Sequence, residues 1–329
     1  YGKFVKGCVE KGIEESDAQK LWQTFEYFSG YGFNKSHAVS YSILSYQCAH
    51  LFNYYPVEWL AAYLDKEPEG RKERAINIVR SFGYRVNLPE INKSGTVWEI
   101  GEDNKTLIQP LTSIKGLGIK AVEQIIANRP FQSVEELLFN ENIVYSKLNK
   151  KALDVLVRSS ALDGLIDERF SGAKHFWSAI AVDRPKTPKK LGENIDLYRK
   201  EGSFTDAETI QYLTDLTGIY PLAMVVDDGM LKQLSKLKVP SIGDFDKDLK
   251  LCWFIPRGII PKKTKHGKEY WIVKVIDNMS NTADIKCWGV DPNRDTIKIN
   301  KPYMGKLDYN ETWGFSTRSL YHTFRCLGN

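Results

Sequence analysis

Residues 114–129, "IKGLGIKAVEQIIANR", set two glycines around one leucine at the mouth of a regular helical pattern. Gly116 and Gly118 give the chain freedom to turn sharply, and without side chains there the backbone amides can approach an anion closely. Val122, Ile125 and Ile126 then recur on one side at helical spacing. The pattern predicts an apolar segment, a glycine turn and a helix, with Leu117 packing back between helices. Lys115 and Lys120 flank the turn and suit salt-sensitive contact with a sugar-phosphate backbone. Lys115, Gly116, Leu117, Gly118 and Lys120 are therefore the candidate duplex-binding set, and a tight glycine turn without a ligand is the alternative. Neither GxxxxGK[ST] nor GxGxxG occurs here, which excludes a Walker or dinucleotide site.

Upstream, Ser16 and Gln19 read as a capping box for a helix through Ala18, Leu21, Trp22 and Phe25, ending near Ser29 and Gly30. Gly30 and Gly32 then supply a turn. A second helix is expected with Ser36 as its cap, running along Val39, Ile43 and Tyr46 toward Phe52, and a third from Pro56 through Leu64. The stretch 28–47, "FSGYGFNKSHAVSYSILSYQ", gathers Asn34, Lys35, Ser36 and His37 at a helix start. Unpaired amides and the positive end of the helix dipole favour phosphate at such a place. These four are the candidate nucleotide-binding residues, against a plain cap with polar surface neighbours.

Residues 65–75 read as a charged surface stretch before a helix near 76–82. Pro, Asn and Gly at short intervals in 83–100 predict short strands and turns. Residues 107–165 return to helix, with Ser133 and Glu136 as another capping box. Residues 183–201, with two prolines and clustered charge, are the best linker candidate, and short helices come next near 207–216 and 229–238.

After residue 248 the period changes to that of strands: "LKLCWFIPRGIIPKK", "EYWIVKVIDN" and "ADIKCWGV" imply a small barrel or sandwich. The net charge is +5, yet residues 249–329 hold fourteen Lys/Arg against seven Asp/Glu. A local field of that sign attracts a polyanion. Lys262, Lys263, Lys265 and Lys268 surround a turn at Gly267, and Trp253, Tyr270, Trp271 and Trp288 lie in or beside strands. Rings on an exposed face can stack on bases while lysines track phosphates, which makes these eight the candidate single-strand set. Alternation sends some rings inward, so each tryptophan is either core or platform, and only one of Tyr270 and Trp271 faces nucleic acid.

Five cysteines without a CxxC pair argue for a reducing, cytoplasmic setting and against a zinc site. No apolar run of about 18 residues is present to span a membrane. Asp227, Asp228, Asp244, Asp246 and Asp248 read as turns and solvated surface rather than Mg²⁺ ligands, and neither GxSxG nor HExxH occurs. No catalytic or metal-binding residue is assigned to this chain. Its opening at Tyr1, without methionine or leader, suggests a piece of a longer protein.

The segment 25–64, "FEYFSGYGFNKSHAVSYSILSYQCAHLFNYYPVEWLAAYL", resembles the fingers of the alpha subunit of bacterial DNA polymerase III, a C-family replicative polymerase. "GYRVNLPEINKSG" resembles the family's next segment, and "LTSIKGLGIKAVEQIIANRPFQSVEEL" and "NKKALDVLVRSSALDGL" resemble its helix-hairpin-helix region. "AETIQYLTDLTGIYPL" is similar to a family stretch in which Tyr220 replaces a histidine. "TKHGKEYWIVKVIDNMSNTADIKCWG" resembles the OB-fold signature. The order is collinear over essentially the whole chain.

The resemblance implies a multidomain chain: α-helical fingers (1–80), a short β connector (81–110), a helix-hairpin-helix region (111–182), a linker with short helices (183–248) and an OB-fold barrel (249–329). It implies that the four residues 34–37 lie beside an incoming dNTP, with duplex at the hairpin and single-stranded template at the OB-fold. Mg²⁺ and the catalytic carboxylates would belong to a palm not represented here, so the chain alone is expected to be inactive. Primer-template DNA and a palm-bearing portion or partner chain are the implied partners. A sliding clamp is another, through "NIDLY", where Asn194, Asp196, Leu197 and Tyr198 stand in for the family's Gln-x-Asp-Leu-Phe peptide. The competing reading is a non-enzymatic, structure-selective DNA-binding protein of repair or recombination; RNA binding by the OB-fold is a third.

Overall fold

The computed structural model describes residues 1–29, 34–279, 281–291, 294–318 and 320–327. The glycine turn expected at Gly30 and Gly32 lies outside them. The chain divides into two compact units, Tyr1–Trp59 and Leu60–Asn329.

The first unit contains α1 (Gly2–Glu10), α2 (Glu15–Ser29), α3 (Lys35–Tyr54) and the start of α4 (Pro56–Lys66). Helix α1, which no sequence signal announced, packs Phe4 on Trp22 and Phe25 of α2, with ring centroids 5.3 and 5.6 Å apart. Gln19 Nε2 donates to Glu15 Oε1 at 3.2 Å, so the Ser16–Gln19 capping box does not form. The helix already begins at Glu15, where Glu15 and Asp17 favour the positive end of its dipole. In α3 the cap is Asn34 rather than Ser36: Asn34 Oδ1 accepts from the Ser36 amide at 3.0 Å and from Ser36 Oγ. Pro56 opens α4, where a missing N–H breaks no helix bond.

The second unit continues through α5 (Lys72–Ser81) to a sheet of β1 (Arg85–Asn87), β2 (Glu99–Ile100) and β3 (Thr106–Ile108). Strand β3 lies between the others, parallel to β1 and antiparallel to β2. The Asp103 carboxylate closes the β2–β3 turn; hydrogen bonds led by the Lys105 amide hold its pKa down at about 2.

A helical core comes next, built from α6 (Ile119–Asn128), α7 (Val134–Leu138), α8 (Lys150–Arg158), α9 (Ala173–Trp177), α10 (Pro188–Tyr198) and α11 (Asp206–Thr217). Ile114, Val122, Ile125, Leu137, Leu153, Leu156 and Phe176 are buried together in it. Each such side chain contributes about 1.5–3 kcal/mol by leaving water. The expected Ser133–Glu136 box is half formed, since Ser133 Oγ accepts from the Glu136 amide while the Glu136 carboxylate accepts from Gln132 N instead. Buried His175 ties α9 to α10. The Ser171 amide donates to its Nδ1 at 2.9 Å, which leaves the proton on Nε2 to meet the Ile195 carbonyl at 2.7 Å.

Residues 183–201, expected as a linker, carry α10. Thr187 caps it, Pro188 starts it, and Leu191 and Ile195 enter the helical core. Prolines and charge dominate the composition, but the apolar pair four residues apart decides the structure.

Helix α12 (Asp228–Lys236) leads to β4 (Leu251–Lys263), β5 (Glu269–Ile276), β6 (Thr282–Trp288), β7 (Tyr303–Lys306), β8 (Asp308–Asn310), β9 (Gly314–Thr317), a short α13 (Leu320–Thr323) and β10 (Phe324–Cys326). Among the described residues these seven strands run in the order β10-β7-β4-β5-β6-β9-β8. The sheet is curled but open, because β10 and β8 are unpaired edges; the closed OB barrel expected from sequence is not formed. A register shift between Pro256 and Gly258 bends β4.

Candidate nucleic-acid interface

Ile114 and Leu117 anchor the glycine turn in the helical core, and Leu117 N donates back to Ile114 O at 3.1 Å. Gly116 has φ +90°, a left-handed conformation that disfavours any side chain. The Lys115 amide donates to Leu216 O, at the end of α11, at 2.8 Å. Among the described residues no hydrogen bond engages the amides of Gly116, Gly118, Ile119 and Lys120. Gly116, Gly118, Ile119 and Lys120 are exposed, while Leu117 between the glycines packs inward. Unpaired amides at a helix start are what an anionic oxygen requires.

The turn borders a cleft of about 500 Å³ that Asp65, Glu69, Lys72 and Lys115 help to line. Glu69 pairs with both Lys72 and Lys115 at 3.8 Å. Lys115 thus has a carboxylate neighbour that its own motif does not reveal, whereas no ion pair engages Lys120 among the described residues. The charged stretch 65–75, read as plain surface, supplies that carboxylate.

On the curled sheet, strand alternation sorts the aromatic candidates. Trp271 pairs in register with Cys287 and packs against the core that holds Val273 and Val275. Tyr270 points to the opposite face, stacked on Trp288 with centroids 4.5 Å apart and planes 27° from parallel. Lys262 lies beside Tyr270 in the register of β4 and β5. Of the two rings, Trp271 is the one turned to that core and Tyr270 the one on the other side with Trp288.

Trp253 is a correction: it is 3% exposed. It packs with Ile255, Ile276, Ile210 and Tyr220, so that one end of the sheet face is covered by residues of α11 and its neighbours. The face opens again toward Tyr270, where Trp288 is 37% exposed. Lys262, Lys265 and Lys268 are exposed around the Gly267 turn, while Lys263 pairs with Glu269 at 3.2 Å. Two further groups escaped the sequence reading. Trp313 is 69% exposed, and Lys286 Nζ lies 5.2 Å from the centre of its ring while donating to its carbonyl at 3.0 Å. A lone exposed tryptophan in a turn has no pattern by which to recognise it.

In the first unit, the Asn34 carbonyl oxygen is occupied in capping. Lys35 is exposed, with no ion pair among the described residues, and lines a groove along α3 with Ala38, Val39, Ser42, Ile43 and Tyr46. The His37 ring lies against Tyr41, with centroids 4.3 Å apart and planes tilted by 49°.

The NIDLY residues are helical rather than extended. Asn194 is fully buried, its Nδ2 donating to Ala179 O and Asp183 O, while Leu197 is 67% exposed. Tyr220 is buried under Arg257, whose guanidinium carbon lies 4.1 Å from the ring centre, and its hydroxyl donates to Asn300 Oδ1 at 3.1 Å.

The acidic residues serve local turns. Asp227 caps α12 through the Met230 amide, and Asp246 accepts from the amides of Asp248 and Leu249. Among the described residues no group of three or more His, Cys, Asp or Glu could hold a metal ion. These side chains do not fit a paired-magnesium site. No helix among the described residues is long and apolar enough to cross a membrane.

Residues 83–171, which include the glycine turn and α6–α8, match a family described as the helix-hairpin-helix motif. The DNA polymerase III subunit alpha of Thermus aquaticus is 37% identical over 172 residues, covering 50% of this chain and 14% of that protein. The DNA polymerase III subunit alpha of Aquifex aeolicus is 27% identical over 294 residues, 87% of this chain and 24% of that protein. That of Caulobacter vibrioides is 34% identical over 173 residues, 51% and 15% respectively. The chain thus spans between a seventh and a quarter of the length of these relatives.

Proposed function

We propose, from its homology to DNA polymerase III alpha subunits, that this chain is the fingers, helix-hairpin-helix and OB-like part of a replicative DNA polymerase in the cytoplasm. In this reading it positions substrates for template-directed nucleotidyl transfer, and Mg²⁺ is held by palm carboxylates outside these residues. The observation that carries the reading is the turn at Gly116–Gly118. Its unengaged amides lie inside the matched helix-hairpin-helix segment, in a chain similar to an alpha subunit over 87% of its length.

Each surface then has a task. The hairpin, with Lys115 and Lys120, holds duplex product by its backbone. Tyr270 and Trp288, with Lys262, Lys265 and Lys268, hold single-stranded template by stacking and charge. Asn34, Lys35, Ser36 and His37 hold the triphosphate of the incoming dNTP. The test is primer extension after mixing the chain with a palm-bearing partner. The chain alone should bind primer-template without extending it, and the mixture should extend it. Extension that is indifferent to this chain would refute the reading.

Within that assembly, Lys35→Ala should weaken dNTP binding roughly tenfold, the loss of one charge-assisted contact of about 1.5 kcal/mol, with DNA affinity unchanged. Titration of dNTP in single-turnover extension would measure it, and an unaltered nucleotide dependence would remove Lys35 from the site. A clamp contact at 194–198 would use exposed Leu197 with Tyr198, or require α10 to unwind. Leu197→Ala should then lower retention on an immobilised sliding clamp; equal retention would dispose of the contact.

A further inference from the structure

The glycine turn has a cation beside it that its own motif does not contain. Lys151, the second residue of α8, lies against Gly116: a Cβ built on that glycine would meet Lys151 Cε at 3.7 Å and Val155 Cγ1 at 3.5 Å. Those are ordinary van der Waals distances, so the left-handed φ of +90°, not crowding by α8, is what calls for glycine there. The ammonium of Lys151 is one bond beyond that carbon, within reach of an anion bound at the turn amides. Lys151 is exposed, and among the described residues no ion pair or hydrogen bond engages its side chain.

Two nearby lysines, Lys150 and Lys115, are committed elsewhere, whereas exposed Lys120 is not. Lys150 Nζ donates to the Val182 carbonyl at 2.8 Å. Lys115 shares Glu69 with Lys72, and a phosphate that recruits Lys115 must approach that carboxylate in the same cleft. The geometry points to Lys151 as a side-chain contact between this hairpin and a duplex phosphate, stronger than that of Lys115, which is restrained by Glu69. This assignment rests on the reading of the hairpin as a duplex-binding surface.

The experiment is fluorescence anisotropy of the full chain on a labelled blunt duplex over a series of salt concentrations, with Lys151→Ala, Lys151→Arg, Lys115→Ala, Glu69→Gln and Gly118→Asp. Gly118 has φ −74° and no atom within 4 Å of an added Cβ, so aspartate fits there as an N-cap while placing negative charge at the turn. Lys151→Ala should lower affinity roughly tenfold at low salt and flatten the logarithmic salt slope by about 0.9, the share of one phosphate. Lys151→Arg should restore both. Lys115→Ala should cost less than Lys151→Ala, and Glu69→Gln should strengthen binding. An unchanged slope in Lys151→Ala, or a larger loss in Lys115→Ala, overturns the assignment. Should Gly118→Asp weaken binding while Lys151→Ala does not, the lysine assignment alone fails. Should Gly118→Asp also bind as before, the hairpin is not the duplex surface and the assignment falls with it.

Discussion

Asp277→Ala should destabilise the curled sheet by about 3 kcal/mol, because several neutral donors around a buried carboxylate would lose their acceptor. Asp277 is 1% exposed, and its carboxylate is an acceptor shared by two segments. Oδ2 accepts from Ser241 Oγ at 2.8 Å, Gly243 N at 3.0 Å and Asn281 Nδ2 at 3.1 Å. Oδ1 accepts from the amides of Met279 and Asn281, each at 2.9 Å. Alanine would strand those donors in a space where water cannot replace the carboxylate for all of them. Denaturant unfolding followed by tryptophan fluorescence would report the change, because Trp253 and Trp271 are built into the sheet. Asp277→Asn keeps one acceptor oxygen and should lie between the alanine variant and the parent. A midpoint in Asp277→Ala equal to that of the parent would show that the network contributes nothing.

Single-stranded DNA binding should fall most with Trp288→Ala. Stacking of one base on an aromatic ring contributes about 1–3 kcal/mol, so the affinity for a labelled oligothymidylate should drop roughly 5-fold to 150-fold. Tyr270→Ala removes the ring that supports Trp288 from the side and should have a comparable effect. The double variant should lose less than the sum, because the two rings act as one unit. Trp271→Phe, on the opposite face, serves as the control and should leave affinity unaltered. Lys262→Ala should instead reduce the salt slope by about 0.7, the share of one phosphate on a single strand. If anisotropy shows the same affinity with and without the two rings, the open end of the sheet is not a base platform.

Much of this arrangement is legible in the amino-acid order, and the exceptions have physical causes. The glycine turn is readable because Gly116 and Gly118 are local requirements, satisfied by the chain within a few residues. Pro56 is readable for the same reason. At α3, Asn34 and Ser36 are both competent caps, and spacing alone does not rank them. Trp253 and Trp288 look alike in sequence, each within an alternating strand. What separates them is the cover that Ile210 and Tyr220 give one end of the sheet face, a contact made by residues distant in the chain. The charge of 183–201 conceals a helix whose stability comes from Leu191 and Ile195 reaching a core formed elsewhere. Closure of the final sheet is likewise invisible, since strand number and alternation do not dictate whether the edges meet. Lys151 and Glu69 come to the hairpin from other helical segments, so no motif centred on residues 114–129 contains them.

Helix α11 and the residues after it touch both the hairpin and the covered end of the curled sheet. Its Leu216 and Thr217 carbonyls receive Lys115 N and Gln109 Nε2, each at 2.8 Å, while Ile210 and Tyr220 pack beneath β4 and β5. This segment therefore acts as a common strut between the hairpin and the open sheet. If the two surfaces bind as proposed, a DNA molecule with a paired and an unpaired arm, once gripped by one, would meet the other at a high effective concentration set by the strut rather than by diffusion. Loosening the strut would cost avidity for such junctions while leaving each separate affinity intact.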